Sequence, residues 1–401
     1  MKALTKIIAA ALTASLAVCS VAPVNAAFTN IPSDTVVTAG DTVKIPTYTS
    51  EAEMLKYIRS QMRQRTESFS VAIKGISVND SKEYTDMLIK KIFEYTGNPK
   101  EGSYLFLSIH KILLSTNVED DILSIDFELS YMTTLDQEEK LDTQINTLIK
   151  GMNVILGDNY KEKPDAENIA KGYAYFVQFM KYADLTEDKT DTSLFSAYSV
   201  LTNKKANSIG FLQLFIRVLA EIGIESNAFF TSVDLTGKLG SHIIASVCVD
   251  GTYYLCDPVS DFLLEDGKNK FLLKGMNDFD SDFDGSSAYK QAAEKMNMTI
   301  SEMAAQNGVA LYSYDKKFEF GDVSDDGLID SVDASMMLAE YARLSTSDKC
   351  GIFSAGQKTA ADMDKNGRID SVDASVILSY YAYKSTKSDS TSLSDFVSKK
   401  K

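Results

Sequence analysis

The chain has 401 residues, a hydrophobic fraction of 44% and a formal net charge of -15. That length allows two or three domains, and that apolar content supports packed cores and excludes an intrinsically disordered chain. The acidity argues against nucleic acid and anionic lipid surfaces as partners, because both would repel it.

The first residues carry Lys2 and Lys6, an apolar run from Ile7 to Val18 and a Val24-Asn25-Ala26 step before Ala27. This is the layout of a secretory signal peptide over residues 1–26, so the mature chain is expected outside the cell. Loss of the two lysines takes the formal charge from -15 to -17. No later segment reaches the roughly 18 consecutive apolar residues of a spanning helix, and no membrane insertion is expected. With Cys19 in the leader, only Cys248, Cys256 and Cys350 remain. Three cysteines do not make the disulfide framework of a small secreted domain, so stability must come from packing and from metal.

In chain order, Ser50 to Arg65 reads as an amphipathic helix, with Ser50 at a cap position and Met54, Leu55, Ile58 and Met62 at helical spacing. Phe69 to Ile73 and Ile122 to Tyr131 alternate apolar and polar residues and are predicted strands, while Leu135 to Leu148 and Glu167 to Tyr182 are predicted helices. The fold class is therefore α+β, with an N-terminal region at 28–160 and a second unit at 161–310.

Between Ala197 and Pro258 the order changes. Ala206-Asn207-Ser208-Ile209-Gly210-Phe211 opens an apolar helix to Leu219; then come Gly223-Ile224, a strand from Ala228 to Val233, and a hairpin from Ser241-His242-Ile243-Ile244 to Cys256-Asp257-Pro258. If Asp250-Gly251 is a two-residue turn, Val249 faces Thr252, His242 faces Val259 and Ile244 faces Asp257. His242 and Asp257 then share one sheet face as diagonal neighbours, within reach for a carboxylate to orient an imidazole. By the same parity Cys256 points to the opposite face. Cys248 lies six residues along the strand, about 20 Å from His242 at strand rise. His110 stands on an apolar stretch outside this constellation and reads as structural.

The order of helix start, Gly-Ile step, His strand and Asp strand resembles the transglutaminase-like, papain-related superfamily. The resemblance implies a papain-like α+β core with the nucleophile at Ser208, an imidazole at His242 and a carboxylate at Asp257. Where that superfamily carries Cys this chain has Ser208, and where Trp commonly follows the His by two residues it has Ile244. A thiol ionises readily, whereas a serine hydroxyl needs His242 to remove its proton. Two readings follow: a degenerate site on a domain that binds protein or polysaccharide, or a working Ser-His-Asp acyl hydrolase, peptidase or acyltransferase. A carbohydrate-active accessory protein is a further alternative, although Trp is absent from the chain.

Near the end, Asp322-Val-Ser324-Asp-Asp326-Gly327-Leu328-Ile-Asp330-Ser-Val-Asp333 recurs forty residues later as Asp362-Met-Asp364-Lys-Asn366-Gly367-Arg368-Ile-Asp370-Ser-Val-Asp373. Each copy puts oxygen-bearing side chains at loop positions 1, 3, 5, 9 and 12, Gly at 6, and the backbone carbonyl of Leu328 or Arg368 at 7. Alternating inward oxygens around a sharp glycine turn are what a hard cation such as calcium requires, and two loops imply two ions. Ile329 and Ile369 are positioned to pack the loops together, and one helix is predicted after each loop, Ala334 to Arg343 and Ala374 to Ala382, with none leading in. Residues 320–385 resemble the type I-like dockerin family, leaving 386–401 as a polar tail. That resemblance implies a small all-α module that binds the cohesin domain of a scaffoldin in a cellulosome-type assembly at the cell surface. It places the partner contacts on Ser331, Val332, Ser371 and Val372 and on the following helices, which differ at Arg343 and Tyr383.

Overall fold

A computed structural model of the protein describes residues 45–75, 81–119, 121–156, 166–188, 190–233, 239–264, 269–281, 297–346, 351–387 and 390–400, with 289 and 293 between them. The leader expected at 1–26 and the start of the region that follows it lie outside these residues, as does Cys350.

The first layer begins with β1 (Thr47–Tyr48) and α1 (Glu51–Arg63). The Ser50 side chain accepts the Glu53 N–H at 3.5 Å, acidic residues fill the first turn and Arg63 the last, as the helix dipole favours. Met54, Leu55, Ile58 and Met62 are buried along one stripe, each worth about 1.5–3 kcal/mol of removed apolar surface. The stripe rests on a sheet of order β1-β2-β4-β3, formed with β2 (Ser68–Lys74), β3 (Ile109–Glu119) and β4 (Ile122–Tyr131). β4 buries Leu123, Ile125, Phe127 and Leu129 in strict alternation, and Phe69 of β2 stacks on Phe127 at 4.7 Å. Helices α2 (Ser81–Ile92) and α3 (Gly102–Leu107) flank this sheet, and α4 (Leu135–Leu156) and α5 (Ala166–Phe179) follow it. Both α4 and the strand at 226–233 run further than the periodicity predicted.

The short parallel pair β5 (Asp184–Leu185) and β6 (Lys205–Ala206) precedes α6 (Ser208–Glu221). Helix α6 is apolar nearly all round, which marks a helix inside the core. Its one cation, Arg217, is 2% exposed. It is neutralised by Asp142 at 2.7 Å and Glu221 at 2.8 Å, and stacks over the Tyr104 ring. A burial of that kind is tolerated only because both partners are in place. The antiparallel sheet β7 (Ser226–Val233), β8 (Leu239–Val249) and β9 (Thr252–Cys256) packs against α6 and leads into α7 (Pro258–Leu264), α8 (Met276–Ser281) and α9 (Ile300–Gln306).

One contiguous apolar cluster runs from Met54 and Ile58 through Phe127, Ile145 and Phe176 to Phe215, Val247 and Val259. The N-terminal region and the following unit thus share a core among the described residues. A smaller cluster gathers Phe229, Ile244, Leu255, Phe271, Met276 and Met303 on the other face of the second sheet. The C-terminal module has its own core, built by α10 (Ser331–Leu344), α11 (Ala355–Ala361), α12 (Ser371–Thr386) and α13 (Leu393–Lys400). Two expectations change here. Helix α11 does lead into the second loop, and the segment read as a polar tail contains a helix whose Leu393 and Phe396 pack on the module.

Candidate functional site

Ser208 occupies the first turn of α6 and is half-buried. The cap is its neighbour: the Asn207 side chain accepts the N–H groups of Ile209 at 3.0 Å and Gly210 at 3.1 Å. A Cβ on Gly210 would lie 2.7 Å from the Leu194 carbonyl, so only glycine lets the helix start settle against the 3-10 turn at Thr192–Phe195. With the Ile209 and Gly210 N–H groups taken by that cap, what the helix start offers the Ser208 hydroxyl is the positive end of its dipole.

The β8–β9 register pairs Val249 with Thr252, Val247 with Tyr254 and Ala245 with Cys256, as the Asp250-Gly251 turn requires. Both turn residues have positive φ, 49° and 75°, the signature of a tight type I′ turn. The expected pairing of His242 with Val259 and of Ile244 with Asp257 does not form. The register stops at Cys256 because Pro258 opens α7, and the Asp257 N–H donates to the Phe271 carbonyl at 3.0 Å. On the backbone His242 is paired with Thr231 of β7, and its side chain lies outside what is described. Asp257 is 1% exposed and accepts the Ser260 N–H at 3.1 Å on one oxygen and the Ser260 hydroxyl on the other. One turn on, Asp261 is also buried, and accepts the Tyr173 hydroxyl at 2.5 Å and the Phe271 N–H at 3.0 Å.

The cysteines follow the parity argument. Cys256 faces α6 with Val247 and Val249, opposite to Ile244 and Leu255. Burial pushes its thiol up to about 12, far from a thiolate. His110 falls at an irregularity of β3 between Ile109 and Lys111, and its Nδ1 has no hydrogen-bond partner among the described residues.

The two acidic loops have one design. In the first, Asp322 accepts the N–H groups of Asp325 at 2.8 Å and Gly327 at 2.9 Å, while Asp333 accepts those of Val323 and Ser324 at 3.0 Å and of Asp330 at 2.9 Å. In the second, Asp362 accepts from Asn366 at 3.0 Å and Gly367 at 2.9 Å, and Asp373 from Met363 at 2.8 Å and Asp370 at 2.9 Å. Positions 4 and 6 are left-handed in both: Asp325 and Lys365 at φ 62° and 63°, Gly327 and Gly367 at 80° and 78°. Asp330 and Asp370 also cap the helices after them, bonding the N–H groups of Val332 at 2.6 Å and Val372 at 2.7 Å.

These donors fit a hard divalent cation. Asp333 and Asp373 are 0% exposed, and burial raises both carboxyls above their usual range. Acceptor oxygens of Asp362, Asp364 and Asp373 lie within 4.8 Å of one another. In the first loop Ser324 supplies a hydroxyl where the second has the Asp364 carboxylate, and that hydroxyl donates to Asp322 at 3.3 Å. Ile329 and Ile369 join the module core.

Beyond the loops, the two halves expose matching apolar residues. Val332, Leu338 and Tyr341 are 48%, 41% and 41% exposed, and Val372, Leu378 and Tyr381 are 50%, 43% and 44% exposed. Sequence reasoning named the valines and missed the Leu and Tyr pairs, although the same forty-residue spacing relates them. Arg343 reaches the buried Glu340 at 3.7 Å, whereas Tyr383 packs on Phe396 with ring centres 5.3 Å apart. The halves therefore differ where the helices end.

Among the described residues no helix is long and apolar enough to cross a membrane. No curated protein matches the sequence. Among solved structures, the chain is similar to one titled as a crystal structure of a TGase, at 12% identity and a TM-score of 0.25 over 48% of this chain and 51% of that one. It is also similar to a putative cysteine protease from Cytophaga hutchinsonii, at 14% identity and a TM-score of 0.23 over 35% of this chain and 55% of that one. The chain thus spans about half the length of each. Residues 320–380 match the model of the dockerin type I domain. This part of the chain is a dockerin, a calcium-binding module whose partner is a cohesin.

Proposed function

We propose that the protein is an exported component of a cellulosome-type assembly, held to a scaffoldin cohesin by its calcium-loaded dockerin. The observation that carries this reading is the pair of acidic loops that share one hydrogen-bonding and backbone pattern. Asp322, Ser324, Asp326, the Leu328 carbonyl, Asp330 and Asp333 would hold one ion, and Asp362, Asp364, Asn366, the Arg368 carbonyl, Asp370 and Asp373 a second. Filling them neutralises carboxylates that otherwise repel one another and orders helices α10 and α12. The ordered surface is then Ser331, Val332, Leu338 and Tyr341, with Ser371, Val372, Leu378 and Tyr381 as its counterpart. Pull-down on a panel of immobilised cohesins tests it. Capture in calcium and release in chelator is expected, and capture that survives chelator would overturn it.

The remainder of the chain we read as a transglutaminase-like domain whose Ser-for-Cys site is catalytically degenerate and which binds protein or polysaccharide. Support comes from the full burial of Asp257 into a helix cap and from the inert environment of Cys256. A serine acyl hydrolase is the second reading, favoured by the half-buried Ser208 at a helix start whose cap is already supplied by Asn207.

A further inference from the structure

We propose that the dockerin and the preceding domain form a single calcium-linked unit, in which the filled loops clamp the β8–β9 hairpin through helix α11. The proposal rests on the calcium reading above and extends it from partner binding to the order of the domain that carries Ser208 and Asp257.

The contact is built at the hairpin tip. Lys358 of α11 donates to the Asp250 carbonyl at 3.2 Å and to the Thr252 hydroxyl at 2.7 Å. The Thr252 hydroxyl donates to the Phe353 carbonyl at 3.4 Å, and the Ala355 N–H donates to the Tyr254 hydroxyl at 3.1 Å. Thr252 and Ser354 are 0% exposed, and Tyr254 and Phe353 1% exposed, so this is buried structure and not a tether crossing open surface. Gly356 sits beneath the Lys316 carbonyl and the Phe318 ring, where a side chain has no room.

The same short helix is tied to both loops. Gln357 donates to the carbonyl of Val323, second residue of the first loop, at 2.9 Å. From the connector, the Tyr312 hydroxyl donates to the Ser324 carbonyl at 3.2 Å, and Lys316 pairs with Asp325 at 2.6 Å. At its other end α11 stops at Ala361, and Asp362 is the first residue of the second loop. Helix α11 is therefore anchored through Gln357 to the first loop and through its C-terminal end to the second, both of them backbone that the cation would order. With carboxylates crowded and no cation present, those anchors loosen, and the hairpin tip loses the partners that bury Thr252 and Tyr254. The strand leaving that tip leads to Asp257, so calcium would set the order of the candidate site as well as of the partner surface.

Hydrogen exchange on the full chain, in calcium and in chelator, tests this beside a calorimetric calcium titration. Protection of amides 247–256 is expected to fall by at least about tenfold on chelation, together with that of 331–344. Calcium uptake with a dockerin that responds and a hairpin that does not would overturn the linkage and leave the calcium reading intact. Absence of uptake would overturn both. Lys358→Met and Tyr254→Phe, which keep shape and remove the polar contacts, are expected to retain uptake while weakening the response of the hairpin; an undiminished response in both would refute this route.

Discussion

The Asp257 carboxylate accepts the Ser260 N–H at 3.1 Å, so the residue expected from the sequence to orient an imidazole is in the structure the cap of α7. Side-chain caps contribute about 1 kcal/mol, and losing this one also leaves the Ser260 hydroxyl without its partner. Asp257→Ala is expected to lower unfolding stability by about 1–2 kcal/mol in a urea titration, and Asp257→Asn to recover most of it. Equal stability of Asp257→Ala and wild type would remove the capping role.

At the start of α6 the expectation is reversed. Asn207 supplies the cap, so Ser208→Ala should leave stability within about 0.5 kcal/mol of wild type, while Asn207→Ala should cost about 1 kcal/mol. Ser208 is thus a clean probe of chemistry. For a degenerate site, a serine-directed acylating reagent is expected to label wild type no more than Ser208→Ala. Labelling confined to wild type would establish a live nucleophile. Ser208→Cys adds a geometric control, because alkylation that depends on His242 requires the two side chains to meet.

How much was legible beforehand depends on how tightly chemistry restricts residue type. A cation cage demands oxygen at fixed positions and glycine at one, so Asp322 to Asp333 and its repeat could be read from spacing alone. The β8–β9 register was equally legible, because an Asp250-Gly251 turn admits few alternatives. What could not be read was where pairing ends: the signal, Pro258, was present, but a proline after a strand is also compatible with continued pairing at a sheet edge. The lead-in helix α11 is only seven residues long, and its apolar content, Ala355, Ala360 and Ala361, is too slight to show a period. Nor could local pattern show that Met54 and Val259 belong to one core, since that depends on tertiary packing around α6.

Calcium stoichiometry should separate the two loops. Wild type is expected to take up two ions per chain by calorimetry. Asp362→Ala combined with Asp373→Ala should leave one, since Asp373 is the fully buried carboxylate of that cage and Asp362 its first residue. Two ions bound by the double variant would place the second site elsewhere.

Thiol chemistry offers a test of burial. A Cys256 thiol held near 12 has almost no thiolate at pH 8, and it is also shielded on the α6 side of the sheet. Iodoacetamide is expected to spare Cys256 in the native protein and to modify it in urea, whereas half-buried Cys248 should react first. Native modification of Cys256 at the rate of a free thiol would contradict the packing described for β9.

Two carboxyl groups, Asp257 and Asp261, lie one turn apart at the start of α7. Burial raises the Asp261 carboxyl above its ordinary 3.8; the Tyr173 hydroxyl and the Phe271 N–H pull the other way, and the Asp257 charge adds to the rise. A folded-state pKa above the unfolded one means that the folded chain binds more protons between the two values, so this group's contribution to stability falls as pH climbs through that window. Asn in its place can still accept both hydrogen bonds through its carbonyl and carries no charge. Its NH₂ would stand where Asp261 Oδ1 has no partner among the described residues, a cost that does not vary with pH. The melting temperature of Asp261→Asn relative to wild type should therefore rise from pH 3.8 upward and level off once Asp261 is ionised in the folded protein. Melting curves that shift in parallel across that range would show that Asp261 bears no burial penalty.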